Sequence, residues 1–83
     1  MSLVLYHRID DPASAAVRRH IVAHGLKPLV DFQNVDTDGR DSFADHNGTT
    51  VPALWDGEQL HEGRGAVLTR LGRLGSEPGI SPR

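Results

Sequence analysis

Eighty-three residues, 37% of them apolar, are enough for one hydrophobic core and exclude two, since a chain this short buries only about 60% of its unfolded surface. A formal net charge of −2 with both signs scattered leaves no basic stripe for nucleic acid, and no apolar run is long enough for a membrane span. The chain has no cysteine, which excludes disulfides, thiolate metal ligands and thiol redox catalysis by this chain alone.

Met1 is followed by neither a charged nor an apolar leader region, so a cytoplasmic protein with no membrane and no nucleic-acid partner is expected. Leu, Val, Ala and Ile carry the apolar content with few aromatics, which favours thin layers of helix on sheet. Leu3–Tyr6 reads as a first strand. Asp10, Asp11 and Pro12 then give a helix start, an acidic N-cap followed by proline at the first helical position. From there to His24 an apolar face repeats at Ala13, Ala16, Val17, His20, Ile21 and His24, and Gly25 supplies the stop. Leu29–Val35 alternates loosely as a second strand, completing a βαβ unit with a parallel pair.

The polar stretch Asp36–Gly48 has room for one short helix around Asp41–His46, begun by Thr37 or Asp38 and ended by Asn47-Gly48. Val51–Trp55 and Gln59–His61 flank Asp56-Gly57, the signal of an antiparallel hairpin. Trp55 is read as a packing residue and not a stacking platform. Gly63–Leu74 reads as a closing helix with Val67, Leu68, Leu71 and Leu74 on its apolar face, Arg70 and Arg73 near its C-terminal end, and Gly75 as its cap. Residues 1–75 are expected to form the domain and residues 76–83 a flexible C-terminal tail.

The order βαβαββα, with a helix directly after the first strand and a proline opening the third, resembles the thioredoxin fold. Tyr6-His7-Arg8-Ile9-Asp10-Asp11-Pro12-Ala13-Ser14 is similar to the glutaredoxin strand, basic residue and C-P-x-C segment, with Asp11 and Ser14 where the two cysteines would stand. Pro12–Arg18 resembles the P-x-S-x-x-V-R pattern of glutathione transferase N-terminal domains. Asn47–Leu54 resembles their N-x-G-x-V-P-A-L stretch with one residue shifted, and Glu62–Leu68 their E-S-R-A-I-L helix start, with Gly63 in place of the serine. The likeness covers residues 3–74, and the transferases' all-helical second domain is not expected here.

The resemblance implies an α/β, thioredoxin-like fold: a four-stranded mixed sheet flanked by helices, with a cis Val51–Pro52 bond. It also implies a ligand groove for glutathione or an extended peptide. Thr50, Val51 and Pro52 would offer backbone along it, and Glu62 would meet the ligand's α-amino group. Gly63 and the helix amides would meet its α-carboxylate, and Arg8, assisted by Arg64, its other carboxylate. Each has a structural alternative: an edge-strand proline, a helix-terminal acid, solvated arginines. Asp11 is expected to cap the first helix, and an anion there would repel a glutathione thiolate. Ser14 is read as a solvent-facing helix serine, with hydrogen bonding to a ligand as its functional alternative.

His20 and His24, four apart, have no evident third ligand, so no metal is expected and partly buried helix histidines are the reading. Three functions stay open. The first is a non-redox module binding glutathione or a peptide, and the second is a protein-interaction or homodimerisation domain with a vestigial site. The third is a weak transferase-like enzyme, with Ser14 and Asp11 at the family's active-site positions.

Overall fold

The computed structural model describes residues 3–74. The expected tail at 76–83 and the expected cap at Gly75 lie outside the described residues. Strand β1 (Leu3–His7) runs into helix α1 (Pro12–Ala23), and a 3-10 turn at Lys27–Leu29 leads to β2 (Val30–Asn34). A short helix α2 (Arg40–Asp45) precedes β3 (Ala53–Trp55) and β4 (Leu60–Glu62), and α3 (Arg64–Gly72) closes the fold. The four strands form one mixed sheet in the order β2-β1-β3-β4. β1 and β2 are parallel, with Leu3 opposite Val30, while β1–β3 and β3–β4 are antiparallel, with Tyr6 opposite Ala53 and Ala53 opposite Glu62.

The period of two in a strand decides which side each residue serves. Leu3, Leu5, Val30 and Leu54 pack with Val17 and Ile21 of α1 and with Val67, Leu71 and Leu74. On the opposite face Tyr6, Val35 and Ala53 gather Val4, Phe43, Val51, Trp55 and Leu60. Leu29 falls in the 3-10 turn and is 46% exposed, so β2 is shorter than the alternation implies. Val35 beyond its end is buried, and its amide bonds the His7 carbonyl at 2.9 Å.

Helix α1 is bounded as its sequence signals require. The Asp11 carboxylate accepts the Ser14 amide at 2.8 Å, and Gly25 at φ +68° ends the helix. Gly25 and Leu26 amides return to the Val22 and Ile21 carbonyls at 3.1 and 2.9 Å, the paired bonds of a Schellman stop, and Leu26 packs on the core. Helix α2 departs from expectation: its N-cap is Gly39, because the Asp38 carboxylate instead accepts the Asn34 amide at 2.9 Å.

Two side-chain arrangements escape the sequence pattern. Arg70 lies in the last turn of α3, as the sequence implies, but it reaches a partner outside the helix. It is buried, and its Nε donates to Asp56 Oδ2 at 3.2 Å, while His61 Nε2 lies 2.8 Å from the same oxygen. Asp56 Oδ1 accepts the Glu58 and Gln59 amides, so one carboxylate shapes the hairpin and ties it to α3. Trp55 packs against the core as its reading implies, and the His46 ring stacks on it with centroids 3.8 Å apart and planes 15° apart, a contact the sequence pattern does not show. Among the described residues, no helix is long and apolar enough to cross a membrane.

Candidate functional site

β1 and β4 are both antiparallel to β3, so they point the same way, and the starts of α1 and α3 lie at one end of the sheet beside the start of β3. All the site residues read from the sequence therefore fall at that end. The Val51–Pro52 peptide is cis, as the resemblance implies. The Pro52 carbonyl accepts the Gly63 amide at 2.8 Å, which seats the segment before β3 against the start of α3.

Glu62 reinforces that seat. Its Oε1 accepts the Thr49 and Thr50 amides at 2.7 and 2.9 Å and the Thr49 hydroxyl at 3.2 Å. The Thr49 amide, followed by that of Thr50, holds the Glu62 carboxyl below its usual range. Val51 lies between these anchors, half-buried, and among the described residues neither its N–H nor its C=O has a hydrogen-bond partner. An extended chain laid alongside would find one donor and one acceptor there.

Gly63 adopts φ +92° and ψ 152°, a conformation that residues with a Cβ avoid. The glycine at the resembling serine position is thus demanded by the local backbone, beyond the loss of a hydroxyl. Gly63→Ser is expected to lower stability by about 1–3 kcal/mol, the cost of a side chain held in that region. Chemical denaturation checks it, and an unchanged midpoint would show that the turn accommodates a Cβ.

At the start of α1 the hydrogen bonds of Ser14, its hydroxyl first and then its amide, hold the Asp11 carboxyl below its usual range. A carboxylate stands where the resembling domains have a thiolate. Ser14 does not face solvent, contrary to the sequence reading: it is fully buried, and its Oγ accepts the Arg8 amide at 3.2 Å. The buried stripe of α1 is Ser14, Val17 and Ile21, so the hydroxyl serves the β1–α1 junction.

The Arg8 side chain is exposed and pairs through Nε with Asp36 at 3.1 Å, which raises its pKa. Arg64, also exposed, opens α3. Sequence reasoning missed Arg18, whose guanidinium donates to the Arg8 and Ile9 carbonyls, both at 3.2 Å, and lies 3.0 Å from His7 Nδ1. Burial first, then Arg18, lowers the His7 pKa. The P-x-S-x-x-V-R spacing contains this arginine, but only the fold turns it back onto the loop.

His20 and His24 put their ring centroids 4.2 Å apart, and His24 is exposed instead of partly buried. Among the described residues, no three His, Asp or Glu side chains converge as a metal site would require. The site thus offers backbone hydrogen bonding beside Val51, a carboxylate at Glu62 and the amide-bearing start of α3. Compared with known proteins, the chain matches no family model, and no curated protein shows detectable sequence similarity to it.

Proposed function

We propose that this chain is a non-redox, thioredoxin-like domain of the glutaredoxin and glutathione transferase N-terminal kind, acting in the cytoplasm, that binds glutathione or another extended peptide beside Val51. The observation that carries this reading is the Val51 backbone, its N–H and C=O without partners among the described residues, next to the start of α3. A donor and an acceptor that the chain itself does not pair are what a peptide added as a short strand needs.

Two further features fit such a ligand. Glu62 uses Oε1 for all three of its bonds, which leaves Oε2 for a ligand's ammonium group. The first amides of α3, free of intrahelical partners, suit a carboxylate. Thr50 and Pro52 border Val51, and Arg8 and Arg64 supply positive charge at the same end of the sheet. The Asp11 carboxylate at the start of α1 disfavours an adjacent thiolate, so the ligand's sulfur stays protonated and unactivated. Transferase or thiol-exchange catalysis therefore ranks below binding.

Amide NMR on the isotope-labelled chain tests the reading, with glutathione and S-methyl glutathione as probes. Both are expected to shift Thr50, Val51 and Gly63 at millimolar concentration and to equal extents, because the sulfur is not engaged. Absence of shifts at these amides would end the proposal, and a response confined to the free thiol would transfer it to the catalytic alternative.

A further inference from the structure

We propose that the groove between α1 and edge strand β2 docks a partner segment presenting an apolar side chain between carboxylates. The groove, of about 600 Å³, is lined by Arg18, Arg19, Val22, Ala23 and Phe32. Val22 is 61% exposed on the outer side of α1, and Phe32 forms the opposite wall. Isolated apolar residues on a surface need no explanation, but here they share one concavity. β2 ends the sheet, so among the described residues no strand pairs with its outer edge.

The rim supplies the second half of the argument. Arg19 lines the groove and Lys27 Nζ sits 4.7 Å from the centre of the Phe32 ring, so two cations adjoin an apolar floor that no carboxylate lines, while the Arg18 guanidinium is turned onto the β1–α1 loop. The whole chain is mildly acidic, so this concentration of positive charge is local. Charge complementarity selects an acidic partner, with the apolar floor taking one anchoring side chain.

The same rim disfavours a second copy of the chain as occupant. A two-fold interface through this groove would set Arg19 and Lys27 against their own counterparts, and like charges facing each other suppress association. The groove borders α1 and β2, whereas the Val51 cleft lies between the starts of β3 and α3, so the two proposals stand or fall separately.

Synthetic peptides carrying one leucine flanked by aspartate and glutamate are the probe, with lysine-flanked and leucine-to-serine versions as controls. Titrated into the isotope-labelled full chain, the acidic peptide is expected to shift the amides of Arg19, Val22, Ala23 and Phe32, and neither control is. Arg19→Glu combined with Lys27→Glu should weaken the interaction about tenfold, or roughly 1.4 kcal/mol. Val22→Ser, at an exposed position, should remove the leucine dependence. Arg18 is left intact because it holds the β1–α1 loop. Equal binding of the lysine-flanked peptide, shifts gathered at Val51 and Gly63 instead, or no shifts at millimolar peptide would each overturn the proposal. Shifts at the groove that grow with protein concentration alone would do so too, by identifying a second copy as the occupant.

Discussion

Asp56→Asn is expected to lower the free energy of unfolding at neutral pH by about 3 kcal/mol, a large part of the roughly 5–10 kcal/mol available to a domain of this size. Asn keeps an acceptor for the Glu58 and Gln59 amides, so the hairpin turn survives and the substitution isolates the other oxygen. That oxygen meets Arg70, whose side chain is 7% exposed, and His61 at 17%. Neutralising the shared carboxylate removes the charge that Asp56 sets against the desolvation of a buried guanidinium. Urea denaturation of the two proteins measures the difference, and a loss below about 1 kcal/mol would mean that the cluster behaves like a surface ion pair.

The pH dependence gives this expectation a sign. Burial pushes the Asp56 carboxyl up, but His61, the Gln59 and Glu58 amides and Arg70 together hold it well below the usual carboxylate range. A group depressed on folding contributes stability that is present above its unfolded value, about 3.9 for Asp, and lost as pH falls through the native one. The gap between wild type and Asp56→Asn should therefore start to narrow as pH falls below about 4 and vanish only below the lowered native value, because acid does to the carboxyl what the substitution does. A gap that persists in acid would assign the effect to shape instead of charge.

How far the sequence reveals this protein depends on the range of the interactions involved. Helix α1 was legible to its ends because its signals are local: Asp11 caps, Pro12 opens and Gly25 closes. The hairpin was legible for the same reason, since Asp56 makes its turn bonds within three residues. Arg70 was legible as a last-turn residue of α3 but its pairing was not, because Asp56 lies fourteen positions away and helix periodicity carries no information about a hairpin docked against it. Ser14 was misread because a small hydroxyl on an apolar stripe looks like a solvent-facing residue until the Arg8 amide returns to it. Of the candidate site, the residue types were legible but their commitments were not. Arg8 is paired with Asp36 and Glu62 with Thr49 and Thr50, contacts that only the folded chain creates.

Glu62→Ala is expected to cost about 2 kcal/mol, toward the lower end for bonds to a charged acceptor because this carboxylate is not deeply buried. The larger consequence is local. With no acceptor for the Thr49 and Thr50 amides, the segment leading to Val51 loses its anchor to β4, and hydrogen exchange at those two amides should accelerate well beyond the global change. Because the Glu62 carboxyl is held below its usual range, the anchor is present above about 4.3, the ordinary value for Glu, and is released as pH falls through the lowered one. In the wild type the Thr49 and Thr50 amide resonances should titrate with a midpoint below that ordinary value, and in Glu62→Gln the titration should vanish. If glutathione binds where the Val51 backbone is unpaired, its shifts should weaken in Glu62→Ala and fade in the wild type over the same acid range. Undiminished binding in Glu62→Ala would separate the ligand from this anchored segment and remove the Val51 backbone from its recognition.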